Sequence, residues 1–123
     1  MNKKISIIDA VFNEIEKEVD IITEAGQSLL DLKPMGQMLV DSDNLSFIYI
    51  TDFNDEYTYV VIPDSIWSEL KKAVDTNAKV FLSDRKERIL LPEFVEEIRY
   101  LIENIKGNSN YGDTMVEKVE STF

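Results

Sequence analysis

The fold of this chain is decided by two runs of β-branched and aromatic residues, LSFIYI at 45–50 and YTYVVI at 57–62. The polar segment DFNDE at 52–56 lies between them. Two such runs joined by a short polar segment are typical of a β-hairpin. Both faces of these strands carry apolar side chains. We therefore expect them in the middle of a sheet, with helices or other chain covering at least one face.

Further strands are predicted on both sides of this hairpin. The short apolar run MLV at 38–40 precedes the turn-like segment DSDN at 41–44, which predicts a strand that ends in a turn. Later in the chain, KVFL at 79–82 and RILL at 88–91 are separated by the polar residues 83–87. This arrangement predicts a second hairpin.

The N-terminal third allows two interpretations. Apolar residues recur at helical steps from residue 8 to residue 19, which predicts a helix. In contrast, ISII at 5–8 and VDIIT at 19–23 have strand character around the polar residues 13–18. We favour the hairpin.

Helices are predicted mainly in the second half of the chain. A short helix is expected at 25–33, ended by Pro34. Three later segments have apolar residues at three- and four-residue steps, and these stripes lie at 66–74, 94–105 and 115–123. Lys106 and Gly107 are typical of the C-terminal end of the second of these helices.

The starts of the three later helices carry capping signals. Asp64 or Ser65 would cap the first helix. Pro92 suits the first position of the second helix. Thr114, with Glu117 three residues later, fits a capping box at the third.

Together these elements predict a single compact α+β domain over residues 1–123. A mainly antiparallel sheet forms in the first half, and two to three helices from the second half pack on it. A chain of 123 residues, 44% of them hydrophobic, can bury a core without disulfides or metals. The N-terminal apolar run is too short for a signal peptide and no run has a spanning length, so we expect a cytoplasmic protein without membrane contact.

The chain contains no cysteine and no histidine. Thiolate nucleophiles, thiol redox couples, zinc ribbons and imidazole bases are therefore excluded, and with them the Ser-His-Asp and Cys-His catalytic sites. Carboxylate, lysine or tyrosine chemistry remains, as does a hard metal ion held by oxygen ligands. The sequence contains no complete catalytic set, and no cofactor is expected.

The chain is strongly acidic, with 24 carboxylates against 13 basic residues and a net charge of −11. This balance argues against nucleic-acid binding, which needs clustered basic residues, and against an anionic membrane surface. The acidity is concentrated, because no Lys or Arg occurs between Lys33 and Lys71, a stretch with seven carboxylates. A working surface is expected there.

Two blocks of sequence carry a resemblance to a known family. They are GQMLVDSDN at 36–44 with the aromatic strand that follows, and ENIKGN at 103–108 with NYG at 110–112, VE at 119–120 and Phe123. In both blocks the chain resembles the YjbL-like family of uncharacterised small proteins from low-GC Gram-positive bacteria. The resemblance covers essentially the whole chain and is weakest before Gly36. It implies a small, soluble, cytoplasmic bacterial protein and supplies no catalytic residue, cofactor or partner.

The first candidate binding site is the turn that contains Asp41, Asp43 and Asn44. The two carboxylates flank a single residue and would suit a hard cation. The turn does not match a calcium loop, because Ser46 stands at position six, where the loop needs glycine. Such side chains also close turns by bonding to their own backbone. We favour the turn and assign no metal site.

The second candidate site is the loop 107–112, which contains Asn108, Asn110 and Tyr111. Its backbone N–H groups and the start of the last helix are available to an anion. A helix end followed by a turn and a cap explains every residue of the loop except Tyr111. The two loops form one site only if the fold brings them together.

Three functions are compatible with these features. We favour a non-catalytic protein-interaction or regulatory module, whose unknown protein partner has a basic surface. The alternative is a small-ligand or divalent-metal binding protein, or an enzyme, that uses the 41–44 turn and the 107–112 loop. A second alternative is an acidic mimic of nucleic acid. A homodimer is compatible with exposed edge strands or apolar helix faces.

Overall fold

The computed structural model describes residues 3–123, which form a seven-stranded mixed sheet and three α-helices. The strands are β1 (Lys3–Asn13), β2 (Glu18–Thr23), β3 (Lys33–Asp41), β4 (Ser46–Phe53), β5 (Glu56–Pro63), β6 (Lys79–Ser83) and β7 (Arg88–Leu90). The helices are α1 (Trp67–Thr76), α2 (Phe94–Ile105) and α3 (Asp113–Thr122). The strands are arranged in the order β3-β4-β5-β1-β2-β6-β7. The predicted α+β fold, with strands mainly in the first half and helices in the second, is confirmed.

The central hairpin is also confirmed. Strands β4 and β5 pair antiparallel, from Ser46 opposite Pro63 to Phe53 opposite Glu56. Because β3 and β1 flank this pair, both strands lie in the interior of the sheet. Residues 46–51 of β4 are all buried, as expected for a strand with apolar side chains on both faces.

The N-terminal segment is a hairpin, so the helical interpretation is wrong. Residues 7–13 of β1 pair antiparallel with β2, whereas residues 3–6 of the same strand pair parallel with β5. Ile8 is an extra residue at the change of partner, which makes a β-bulge. The hairpin predicted at 79–91 is confirmed too, as β6 pairs antiparallel with β7.

An aromatic core joins the helices to one face of the sheet. The ring of Phe47 in β4 lies 4.9 Å from that of Trp67 in α1 and 6.4 Å from that of Phe123, which follows α3. The ring of Tyr49 stacks on Phe94 of α2 at 5.9 Å. Aromatic pairs of this kind stabilise a fold by about 0.5–1.5 kcal/mol beyond the area they bury. Phe47 and Tyr49, which are adjacent on one face of β4, therefore contact one end of each of the three helices.

The helix expected at 25–33 is wrong. Gly26 has φ +86° and Asp31 has φ +60°, so the backbone turns at both residues instead of continuing a helix. Leu29 between them is buried in the core and holds the segment against the sheet. Pro34 does not end a helix but lies in the edge strand β3, where its missing N–H costs little.

The predicted starts of the first two later helices are wrong in detail. Neither Asp64 nor Ser65 caps α1 with its side chain, because a 3₁₀ turn leads into the helix. Pro92 lies two residues before α2, whose N-cap is Glu93 at φ +63°. The C-terminal end predicted for α2 at Lys106 is confirmed.

The predicted capping box of the last helix is also wrong. Helix α3 begins at Asp113, one residue before Thr114, and no side chain caps it. Gly112 has φ +90° and ψ 141°, a conformation that side-chain-bearing residues rarely adopt. The carbonyl of Gly112 accepts the first helical hydrogen bond, from the N–H of Val116 at 3.0 Å. The glycine therefore sets the start of α3.

Tyr49 connects the edge strand, the sheet and α2 through its hydroxyl. The hydroxyl donates to the carbonyl of Pro92 at 2.8 Å and accepts from the N–H of Gly36 at 3.1 Å. Burial raises the pKa of Tyr49 to about 12. Gly36 has φ +69°, and an added Cβ would lie 3.4 Å from Cγ of Glu93, so the approach of β3 to α2 favours glycine.

Tyr49→Phe is expected to lower the free energy of unfolding at neutral pH by about 1–3 kcal/mol, because a buried N–H and C=O lose their partner. The native pKa lies above the ordinary value of 10.0, so the native state keeps a proton that the unfolded chain releases. The stability of the unsubstituted protein is therefore retained below pH 10 and falls as the pH rises towards about 12. Tyr49→Phe has no hydroxyl to titrate at this position, so its stability should not show this part of the decrease at alkaline pH.

Urea unfolding at a series of alkaline pH values measures both effects. Tyr100→Phe is the matched control, because the side chain of Tyr100 is 66% exposed on α2. It should leave both the stability and its pH dependence unchanged. The same alkaline fall in Tyr49→Phe as in the unsubstituted protein would contradict the assignment.

Candidate functional site

The sheet has one face that no described helix covers, and we call it the open face. Side chains alternate between the two faces of a strand. Since Phe47 and Tyr49 of β4 contact the helices, Ile48 and Ile50 point to the open face. Among residues 3–123, α1, α2 and α3 all contribute to the single core on the other face.

A row of side chains crosses the first half of the open face. Leu39 of β3 is opposite Ile48, Ile48 is opposite Val61 of β5, and Val61 is opposite Ser6 of β1. Residues directly opposite one another project from the same face of a sheet. The row is therefore continuous across four strands and is apolar over three of them.

The second half of the open face is organised around Arg88 of β7. Its guanidinium lies 3.7 Å from the ring centroid of Phe81 in β6. It also bonds to Asp20 at 2.5 Å and to Glu18 at 3.1 Å, both in β2. The hydrogen bond with Asp20 is the main cause that raises the pKa of Arg88. The ion-paired Arg88 side chain therefore covers this part of the face, whereas Val11 in β1 stays exposed.

Five large apolar side chains of the open face are in contact with solvent. The exposed fractions are 43% for Leu39, 44% for Leu90, 46% for Tyr57, and 52% for both Ile8 and Val11. Single exposed apolar residues are ordinary on a protein surface, but a group on one face is a recognised feature of interaction sites. The open face is therefore the strongest candidate for a binding surface.

Carboxylates lie on the open face near both ends of β4, on either side of the apolar row. Asp41 follows Leu39 in β3 and is opposite Ser46, next to the exposed Asp43 in the turn. At the other end, Asp52 is opposite Tyr57. The only base that β3, β4 and β5 contribute is Lys33, which lies opposite Asp52. In these three strands and their turns the carboxylates therefore outnumber the bases.

The predicted binding residues of the first loop are used within their own turn. The carboxylate of Asp41 accepts the backbone N–H of Asn44 at 3.4 Å and the side-chain amide of Asn44 at 2.9 Å. The N–H of Leu45 donates to the carbonyl of Ser42 at 3.2 Å and closes the turn. Asp43 is exposed beside these bonds.

The second predicted loop has a similar internal arrangement. The side chain of Asn108 accepts the N–H of Asn110 at 3.1 Å and donates to the carbonyl of Asn104 at 3.2 Å. Tyr111, the one residue of the loop that the turn and cap do not explain, is half-buried against the core. The N–H of Gly107 donates to a carboxylate oxygen of Glu120 at 2.8 Å.

The two loops are not connected to each other or arranged as a metal site. Within residues 3–123, no hydrogen bond or ion pair joins the 41–44 turn to the 107–112 loop. The same part of the chain contains no cluster of three or more side chains that would hold a metal ion. The sequence does not indicate the open face as a whole, although the acidic stretch between Lys33 and Lys71 contains β4 and β5.

Comparison with known proteins identifies the family of this chain. The profile of UPF0738, described as a family of unknown function, matches residues 5–123. The chain belongs to the UPF0738 family. The resemblance to YjbL-like proteins is thus confirmed, and the match extends through β1, well before Gly36.

Two relatives in the UPF0738 family align over the whole length of this chain, and a third aligns over most of it. The UPF0738 protein YjbL of Bacillus subtilis is 40% identical over 123 residues, which cover 100% of this chain and 99% of the relative. A UPF0738 protein of Bacillus licheniformis is 37% identical with the same coverage. One from Anoxybacillus flavithermus is 44% identical over 96 residues, covering 78% of this chain and 71% of the relative. No solved structure matches the chain.

The family description names no activity. Among residues 3–123, no helix has the length and apolar character needed to cross a membrane.

Asp41→Ala tests whether the first loop is a turn or a ligand site. The substitution is expected to lower the free energy of unfolding by about 0.5–1 kcal/mol, because the turn loses two hydrogen bonds. Asp43→Ala is the matched control and should change it by less than about 0.5 kcal/mol. Thermal unfolding of the unsubstituted protein should not respond to millimolar Mg²⁺ or Ca²⁺. A melting temperature raised by either ion, and restored by Asp43→Ala, would contradict this assignment.

Proposed function

We propose that this UPF0738 protein is a non-catalytic interaction module that docks a partner protein on its open face. The observation that carries the proposal is the exposure of Leu39, Tyr57, Ile8, Val11 and Leu90 on the one sheet face that the helices leave uncovered. Several exposed apolar side chains on one face of a sheet are a feature of protein-binding sites. The absence of histidine and cysteine from the sequence is consistent with a role in binding.

The partner is expected to present apolar side chains flanked by lysine or arginine. Leu39 and the half-buried Val61 offer a hydrophobic contact on either side of the buried Ile48, and Asp41 and Asp43 put negative charge beside Leu39. Complementary charge mainly accelerates association and fixes orientation, whereas the apolar centre supplies most of the affinity. A basic amphipathic segment fits both features. A second copy fits less well, because each chain carries a net charge of −11.

The alternatives have less support. The 41–44 turn and the 107–112 loop satisfy their polar groups internally, as described above. A mimic of nucleic acid needs its carboxylates along one strip. In this protein carboxylates occur in all three helices as well as in the sheet and its turns, so they do not follow a single strip.

Site-specific photo-crosslinking in the native host tests the docking surface. A benzophenone amino acid replaces Tyr57 on the open face or, as the matched control, Tyr100 on α2, which are 46% and 66% exposed. We expect a defined protein adduct from position 57 and none from position 100, and the adduct is identified by mass spectrometry. Identical adducts from both positions, or none from position 57, would contradict the proposal.

The purified partner then allows a quantitative test. Leu39→Lys is expected to weaken binding about tenfold or more, since it puts a charge into the apolar row and opposes a basic partner. Ile15→Lys is the control, because Ile15 is 91% exposed in the turn between β1 and β2. Isothermal titration calorimetry with both variants measures the difference, and equal affinities would count against docking at this face.

A further inference from the structure

A separate cavity lies on the helix side of the sheet, at the end where β1 begins and β4 ends. Its volume is about 290 Å³. The walls come from Lys3 of β1, Phe53 of β4, Thr58 of β5 and the segment 27–32. Lys3 and Thr58 are directly opposite each other in the parallel pair of β1 and β5. The cavity does not include any residue of the open-face row.

The cavity is formed by the segment that the sequence predicts as a helix. Leu29 is buried and holds this segment against the sheet, while the left-handed conformations of Gly26 and Asp31 turn the chain before and after it. Leu30 is left at the rim with 69% of its surface exposed, and Leu32 is half-buried against the core.

The lining combines an apolar wall with an unneutralised cation. The ammonium of Lys3 lies 5.6 Å from the ring centroid of Phe53, and within residues 3–123 it makes no ion pair. Lys4 is also at the edge of the cavity, but it is opposite Tyr59 in the sheet, so its side chain projects from the open face. Asp31 is the single carboxylate of the lining, and within residues 3–123 no ion pair joins it to Lys3. An ammonium without an ion pair beside an apolar wall favours an organic anion.

The size of the cavity limits the ligand to a small molecule. Pockets that bind drug-sized ligands have volumes of about 300–1,000 Å³, so this cavity lies at the lower end. One or two fused rings fill such a space. Phe53 offers a ring face, and Leu30 and Leu32 offer aliphatic surface, which together suit a flat aromatic body.

We propose that this cavity binds a small aromatic carboxylate. The ring of the ligand packs against Phe53 and Leu32, and its carboxylate pairs with the ammonium of Lys3. Asp31 opposes the anion and limits the affinity. The site is independent of the docking surface on the open face, and either proposal can fail without the other.

Nuclear magnetic resonance titration tests the site with 2-naphthoate and its neutral analogue 2-naphthamide. Naphthoate is expected to shift the amide signals of Leu32, Phe53 and Thr58 in a saturable manner, and those of Leu39 and Val61 on the open face should not move. Naphthamide should bind about threefold or more weakly, because it has the same ring system without the charge. Shifts confined to the open face, or none up to the solubility limit, would overturn the proposal.

Two substitutions of opposite sign separate the charge effect from general hydrophobic binding. Lys3→Gln is expected to weaken naphthoate binding about threefold or more, and Asp31→Asn to strengthen it by a similar factor. Asparagine tolerates the left-handed conformation of Asp31, so the second variant keeps the loop. Lys17→Gln, in the exposed turn after β1, is the control and should have no effect. Equal affinity for naphthoate in all three variants would refute the role of Lys3.

Discussion

Strand β1 is the element on which the whole sheet depends, because it changes partner along its length. Its first residues pair with β5 and its later residues pair with β2, so the groups β3-β4-β5 and β2-β6-β7 form one sheet only through β1. The bulge at Ile8 lets side chains from both parts of β1 enter the same core. Ile7 and Ala10 are both buried, which a regular alternation without the bulge would not allow. Without β1, the edges of β5 and β2 would be open to aggregation.

The same arrangement explains why one face stays open. Strand β5 lies beside β1, and β6 lies beside β2, each in a parallel pair. Parallel pairs need crossover connections, and α1 is part of the connection from β5 to β6. Helix α2 follows β7 and packs on the same side, where the hydroxyl of Tyr49 bonds to Pro92 just before the helix. No described α-helix crosses to the other face. The exposure of Leu39 and Val11 is therefore a consequence of topology, and selection for a partner would act on a surface that the fold already provides.

Local patterns predict the elements of this fold well, and non-local contacts account for the errors. The hairpin at 45–62 and the apolar stripe of α2 are predicted because each is encoded in consecutive residues. The segment 25–33 contains good helix formers, but Gly26 turns the chain and the core takes up Leu29, so tertiary contact overrides propensity. The open face could not be predicted, because its rows join residues far apart in the chain, such as Val11 and Leu90 at opposite ends of one row.

The two proposed sites should respond differently to ionic strength, because the net charge of −11 acts on them with opposite sign. A basic partner is attracted to the open face by many carboxylates, so salt screens attraction and weakens docking. An aromatic anion is attracted by Lys3 at short range but repelled by the distant carboxylates. The Debye length is about 10 Å at 0.1 M salt, so screening removes the distant repulsion more completely than the attraction at contact. Salt should therefore weaken binding in the cavity much less than docking on the open face.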